Sequence, residues 1–487
     1  PGPVGDGGEI QFFAKRKGVY PKKVKGAFRT LKWVILVVTL GIYYVTPWLR
    51  WNRGPYAADQ AVLVDLANRR FFFGPIEIWP QEFYYVAGLL IMAGIGLFLI
   101  TSTVGRAWCG YTCPQTVWTD LFLAVERFFQ GDRNARMKLD REPWGAAKLA
   151  KKSATHATWL LIALLTGGAW VFYFMDAPTL LGRLLDGTAP TAAWGAIAVL
   201  TATTYSFAGL MREQVCTYMC PWPRIQSAML DEDSFIVTYK AWRGEARGSV
   251  KAKEAGETVN GKPIGDCVDC MACVNVCPTG IDIRDGPQLE CITCALCIDA
   301  CNETMEKLGR PLDLIGYTTL TRDGKESRGE TVPRMWKTFI RPRTLLYFAL
   351  WAGIGLTMLF ILSGRARMDL LVSQDRNPVY VMMSDGQVRN GYTVKVLNKE
   401  ARPRDFIISV EGLDGARMWE ALDTRAEPAA TYRVRVRPDG LETLHLYVKA
   451  PPAVLEGDRA DFRFVAAAVD GGERTEEDAR FSGPGGR

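Results

Sequence analysis

Five long, charge-poor stretches, two cysteine runs of identical spacing and a period-two alternation near the end of the chain predict the fold class. It is membrane α-helical, with five transmembrane helices, an inserted dicluster bacterial-type ferredoxin domain and a C-terminal all-β immunoglobulin-like sandwich. The chain has 487 residues, 48% of them hydrophobic and 23% charged, with a net charge of +7. Two histidines, His156 and His445, are too few for a multi-histidine copper centre or a stack of bis-histidine haems. All twelve cysteines lie between Cys109 and Cys301 in short groups, unlike the framework of a small disulfide scaffold. The chain begins at Pro1 rather than methionine, which leaves a trimmed or incomplete N-terminus open.

The spans are expected at Leu31–Leu49, Phe83–Val104, His156–Met175, Ala192–Met211 and Thr344–Leu362. Each is long enough to cross about 30 Å of hydrocarbon. Residues 1–30 form a basic arm: Lys15, Arg16, Lys17, Lys22, Lys23, Lys25 and Arg29, with Lys32 just beyond, outweigh Asp6 and Glu9. The loop after the second span is also basic, from Arg106 through Arg127, Arg133, Arg136, Lys138, Arg141, Lys148 and Lys151 to Lys152. The loops after the first and third spans are not. Positive charge therefore places the N-terminus, and the segment 212–343, in the cytoplasm, and five crossings put 375–487 in the periplasm. The segment Pro114–Gln130, carrying Asp120, Glu126 and Arg127, reads as an amphipathic helix at the membrane surface. The positive charge suits the inner leaflet of a lipid bilayer; no aromatic-basic groove pattern points to nucleic acid.

Cys267, Cys270, Cys273 and Cys277, then Cys291, Cys294, Cys297 and Cys301, each follow C-x2-C-x2-C-x3-C, the spacing of bacterial [4Fe–4S] loops. In two-cluster ferredoxins the fourth cysteine of each run serves the other cluster. That rule assigns Cys267, Cys270, Cys273 and Cys301 to one cluster and Cys291, Cys294, Cys297 and Cys277 to the second. Structural zinc is the alternative, but it rarely needs eight cysteines in a doubled register. Asn302 stands where Pro278 follows the first run. The flanks, Ser249–Gly265 and Asp313–Arg334, read as polar linkers.

Four cysteines remain. Cys109 and Cys113 before Pro114, and Cys216 and Cys220 before Pro221, repeat C-x3-C-P just past the inner ends of the second and fourth spans. If the helix continued, each pair would share one helix face. Structural thiols, a soft copper site with Met211 and Met219 as thioether neighbours, a third iron–sulfur cluster and a redox-active thiol pair all fit this pattern. Trp79 and Glu82, before the second span, would face the outer surface, as an interfacial anchor and a candidate proton or cation acceptor. His156 reads as an interface residue and His445 as structural.

From Pro378 the alternation sets in: Tyr392, Val394 and Val396; Phe406, Ile408 and Val410; Tyr432, Val434 and Val436; Leu444, Leu446 and Val448; Phe462, Phe464 and Ala466. Roughly seven strands suggest a small sandwich, with Glu473–Arg487 as a flexible tail. Lacking cysteine, and with His445 as its only histidine, this domain suits docking or stability rather than catalysis.

The order of these parts resembles, over nearly the whole chain, the cytochrome c oxidase accessory proteins of the CcoG/FixG/RdxA type. The resemblance makes the eight loop cysteines the ligands of two [4Fe–4S] clusters, and Cys109, Cys113, Cys216 and Cys220 the membrane pairs. It implies a role like a cupric reductase in the bacterial inner membrane, supplying Cu(I) for the binuclear centre of a haem–copper oxidase. The partners it implies are the oxidase assembly machinery or a copper chaperone, with an unidentified electron donor. The membrane part is also similar to quinol-linked polyferredoxin proteins, which implies electron relay to a partner reductase. A non-enzymatic assembly factor with structural or redox-sensing clusters is the contrasting class.

Overall fold

The computed structural model describes residues 18–484 apart from 55–57, 68, 80–81, 260, 333, 365, 401, 423–426, 439 and 456. Lys15, Arg16, Lys17, Asp6 and Glu9 of the basic arm, and the last three residues of the expected tail, lie outside them. The chain divides into two compact units, one holding the residues up to Arg50 with Gln60–Met358, the other Trp51–Asp59 with Leu359–Arg487.

Among the described residues, five helices are long and apolar enough to span a membrane: Ala27–Trp48, Tyr84–Val104, Ala146–Val171, Thr191–Met211 and Pro342–Ser363. On the last of them Leu346, Leu356 and Phe360 are 57%, 66% and 78% exposed. So continuous an apolar surface is tolerated by lipid rather than water, as a multi-pass membrane protein requires. Two helices begin earlier than the hydropathy suggests. The first starts at Ala27 rather than Leu31, and the third at Ala146 rather than His156. In both cases a polar residue of the added turns is buried with a partner: Arg29 pairs with the buried Asp120, as does Lys32 one turn on, and the buried Lys148 donates to the carbonyls of Asp140 and Glu142.

The loop after the first span folds into a three-stranded antiparallel sheet, Val62–Asp65, Arg70–Phe73 and Ile76–Ile78. Trp79, expected as an interfacial anchor, is buried within the protein with Arg70 over its ring, and the buried Glu82 accepts its backbone N–H at 3.2 Å. Glu82 thus ties this loop through the Trp79 backbone. Helix Pro114–Gln130 has the expected bounds but is no loose surface helix. Its Phe122 stacks on Trp159 of the third span, and its carboxylates are buried in ion pairs.

The expected linkers around the cysteine loops also take part in the fold. Strand Ile236–Tyr239 pairs antiparallel with Ile315–Thr318, bringing Val237, Tyr239, Leu314 and Ile315 into one core with Cys267, Cys273 and Cys301. Residues 249–265 carry the short helix Val250–Glu254 and a two-stranded hairpin.

The second unit contains a two-sheet sandwich. One sheet runs Arg417–Glu420, Leu441–Ala450, Val388–Asn398, Met368–Gln374, with Val381–Met382 also on Val388–Asn398; the other runs Thr431–Val436, Arg404–Glu411, Arg459–Ala468, Arg474–Ser482. The alternating residues point inward as expected: Tyr392, Val394, Val396, Phe406, Ile408, Leu446, Val448 and Phe464 are essentially inaccessible. Two boundaries change. The sandwich begins at Met368, before residue 375, and Arg474–Ser482 of the expected tail is an edge strand paired along its length with Arg459–Ala468. Its face alternation is between charged and polar residues, and only Phe481 is fully buried, so hydrophobic periodicity does not reveal it. His445 lies exposed on a strand with Nδ1 3.3 Å from the Thr393 hydroxyl, a surface pair.

Candidate functional site

The two cysteine loops are copies in backbone as well as sequence. Asp269 and Met271 in the first, Thr293 and Ala295 in the second, all adopt left-handed conformations on either side of the middle cysteine. Such single left-handed residues curl a loop until its side chains and N–H groups face a common centre. Each loop then runs into a helix, Ala272–Val276 or Leu296–Lys307. The cysteines fall into two crossed groups. Burial pushes the Cys301 thiol up to about 12, and Cys273, Cys270 and Cys267 beside it add to that. Burial likewise raises Cys297 far above the ordinary thiol range, with Cys294, Cys291 and Cys277 contributing and Cys273 of the other group adding least. Cys273, Cys277, Cys291, Cys294 and Cys297 line one cavity.

This donor set fits a pair of four-iron clusters. The thiols resist ionisation until a cationic centre sits among them. Cys267, Cys270, Cys273 and Cys301 could hold one cluster, and Cys291, Cys294, Cys297 and Cys277 the other.

The membrane-edge pairs depart from the continuous-helix expectation. The second span ends at Gly105 (φ 64°, ψ −135°), where a Cβ would collide with the Phe235 carbonyl oxygen. A single π-helical turn, Trp108–Thr112, follows, closed by the Cys113 N–H on the Trp108 carbonyl at 2.9 Å. The second copy matches residue for residue: Arg212 (φ 48°, ψ −114°), the π turn Val215–Met219, and the Cys220 N–H on the Val215 carbonyl at 2.8 Å. Cys113 and Cys220 are extended and precede the prolines that start the next helices. Each pair is thus splayed by a wide turn instead of stacked on a helix face, a distortion common at functional sites.

Cys109 and Cys216 lie within electrostatic range of each other or of Cys113 and Cys220, although among the described residues no three of these thiols close on one point that would hold a single metal ion. Burial pushes Cys109 up to about 12, helped by Cys113, Cys216 and Cys220; burial pushes Cys216 up to about 11, helped by Cys113 and Cys220. The Cys109 thiol donates to Gln226 Oε1 at 3.1 Å, and Gln115 Nε2 donates to the Phe207 carbonyl at 2.9 Å, so each copy is bonded to the other. Met219 is half exposed. His156 Nδ1 lies 2.8 Å from the Tyr205 hydroxyl, a pair between the third and fourth spans outside the cysteine group.

This inner-edge site abuts the second ferredoxin loop. A Cβ on Gly110 would lie 2.7 Å from the Ile292 carbonyl oxygen and 3.1 Å from the Cys294 backbone, so only glycine permits the approach. Tyr111 donates to the Cys294 carbonyl at 3.1 Å, and Cys109 packs beside Ile292 and Cys294. The junction is braced by polar residues that sequence reasoning missed. Asp299, between Cys297 and Cys301, accepts the backbone N–H groups of Phe28 and Arg29 (3.3 and 2.7 Å), capping the first membrane helix. Although burial alone would raise them, Lys32 and Arg29 hold the Asp120 carboxyl below its ordinary range, and Arg212 and Arg136 do the same for Glu126. Constant spacing between the two copies is a signal that could have singled out Gly105 and Arg212; the contacts made by Asp299 have none.

Membrane-length helices joined to duplicated cysteine loops of this kind define a class, the membrane polyferredoxins, in which iron–sulfur centres carry electrons. Residues 211–320 match the family of 4Fe-4S dicluster domains, 86–133 a family described as a 4Fe-4S binding domain, and 358–484 the immunoglobulin-like fold at the C-terminus of FixG. Protein RdxB of Cereibacter sphaeroides is 53% identical over 97% of this chain and 98% of its own. The nitrogen fixation protein FixG of Rhizobium meliloti is 52% identical over 97% and 94%, and RdxA of C. sphaeroides 52% over 90% of each. The chain belongs to this RdxB/FixG/RdxA family.

Proposed function

We propose that this membrane iron–sulfur protein reduces Cu(II) to Cu(I) at Cys109, Cys113, Cys216 and Cys220, for assembly of the copper centre of a haem–copper cytochrome c oxidase. The observation that carries the reading is the contact of Gly110 and Tyr111 with the Ile292–Cys294 backbone, which sets Cys109 of the inner-edge group beside the second ferredoxin loop. When bound, [4Fe–4S] clusters whose corners are all thiolate-ligated supply one-electron transfer and no open coordination position. Cu(II) gains one electron, and the soft thiolates then favour its Cu(I) product. Gln226, whose side-chain carbonyl accepts from the Cys109 thiol, orients that sulfur within the group. The C-terminal sandwich, placed in the periplasm by loop charge, would dock the oxidase assembly machinery or a copper chaperone, while the cysteine loops face the cytoplasm.

A second reading has an observation of its own. The family matching residues 86–133 is described as binding 4Fe-4S, yet that segment holds only Cys109 and Cys113. Two further sulfurs would have to come from Cys216 and Cys220, which favours a third cluster shared by the two pairs, in a relay of electrons to a partner reductase.

Replacing Cys216 and Cys220 by serine tests the first reading. Copper reduction by the reduced protein is expected to fall to the rate of cluster-free protein, with the iron of the ferredoxin loops retained. Unchanged copper reduction would remove the inner-edge site from the reaction.

A further inference from the structure

Arg106 follows the helix-ending Gly105 and is only 5% exposed. Its guanidinium donates to three carbonyls on two separate segments: Pro223 after the second cysteine pair at 2.7 Å, and, in the loop of the second cysteine run, Cys291 at 3.2 Å and Leu289 in a short contact. All three acceptors are neutral. Among the described residues no carboxylate forms an ion pair with it; Glu290 acts on it only at longer range, alongside Cys109 and Cys291. A buried cation with no counter-anion is costly, so this charge calls for a negative centre beside it. The groups able to supply one are the thiolates on either side.

The other cysteine group has a different neighbour. Arg284, close to Cys273, is ion-paired with Asp282 at 2.7 Å and Asp269 at 2.5 Å. Its charge is already neutralised. The two pseudo-equivalent loops are therefore electrostatically unequal, one beside an unpaired arginine and one beside a paired one.

We propose that Arg106 is a positioning residue that clamps the Cys291 loop onto the inner-edge cysteine turn and gives the cluster of that loop the higher reduction potential of the two. The proposal rests on the reading of the eight loop cysteines as ligands of two clusters. An uncompensated positive charge stabilises the more negative, reduced state of a nearby centre. With both groups bound, that order would favour one-electron transfer from the centre that Cys267, Cys270, Cys273 and Cys301 would hold, oxidising it, to the one that Cys291, Cys294, Cys297 and Cys277 would hold, reducing it. No bond or proton changes hands. The step ends at the loop that touches the inner-edge thiols.

The test is a redox titration of the full-length protein in detergent, followed by electron paramagnetic resonance, with Cys291→Ser identifying which signal belongs to which loop. In the unmodified protein the Cys291 cluster is expected to be reduced first. In Arg106→Gln its reduced-to-oxidised ratio at a fixed potential should fall about tenfold, or about 59 mV for one electron, while the other cluster stays within about twofold. Arg106→Lys keeps the charge without the three-way fork, so it should keep the order of potentials but release iron to a chelator faster. Equal potentials in the unmodified protein, or an Arg106→Gln protein with both potentials unchanged, would overturn the proposal. If Arg106→Gln does not fold, the unmodified and Arg106→Lys proteins still decide it. Folded, unmodified protein lacking both cluster signals would overturn the ligand reading itself.

Discussion

Cys277→Ala is expected to remove the iron associated with the opposite loop, about half of the total held by the two clusters. Cys277 belongs by sequence to the first run, but its electrostatic neighbours are Cys291, Cys294 and Cys297. Pairwise combination makes the crossing measurable by iron content. Cys277→Ala with Cys294→Ala should lose no more iron than either change alone, because both strike one centre. Cys277→Ala with Cys273→Ala should lose nearly all of it. The reverse pattern would mean that each run holds its own cluster, and the grouping of Cys301 with Cys267, Cys270 and Cys273 would have no functional meaning.

Glu126→Gln is expected to cost about 3–5 kcal/mol of stability. The Glu126 carboxylate sits 2.8 Å from Arg136, which is fully buried, and 3.1 Å from Arg212. Neutralising it leaves two arginines facing each other across a buried site without an anion, and removing one partner of such a network is far costlier than never building it. Arg212 opens the second cysteine turn, so the loss should also loosen the inner-edge site. Asp140→Asn is the control: its pair with Lys152 at 2.7 Å is partly exposed, and such pairs contribute about 0–1 kcal/mol. Thermal unfolding of both variants in the same detergent checks the contrast. Equal shifts would show that the Glu126 network is not stabilising the inner edge.

Much of the architecture is legible in the residues because its signals are local. Five apolar runs, the doubled cysteine spacing and the alternation through Tyr392, Val394 and Val396 depend only on near neighbours in sequence. The features that escape such a reading are held by distant partners. Arg29 and Lys32 look like membrane flanks until Asp120 meets them, and Asp299 looks like a spacer until it caps a helix 270 positions away. The strand Arg474–Ser482 escapes because its charged faces meet solvent, and the strand Ile236–Tyr239 because its partner lies beyond the cysteine loops. The cysteine pairs are visible in the sequence, but their π turns are not: i,i+4 spacing suggests a helix face, whereas Gly105 and Arg212 break the helix first. Arg106 gives no sequence signal at all, since its importance comes from three carbonyls that meet only in the folded chain.

Adding Cu(II) to the fully reduced, full-length protein, with metal content and electron paramagnetic resonance recorded before and after, tests the proposed chemistry most directly. Each copper is expected to remain attached as silent Cu(I), and the reduced-cluster signal should decline by one electron for every copper bound. In Cys216→Ser/Cys220→Ser protein the copper should stay unreduced. A persistent Cu(II) signal beside fully reduced clusters would contradict the account, as would a third cluster signal from the inner-edge cysteines with no copper retained.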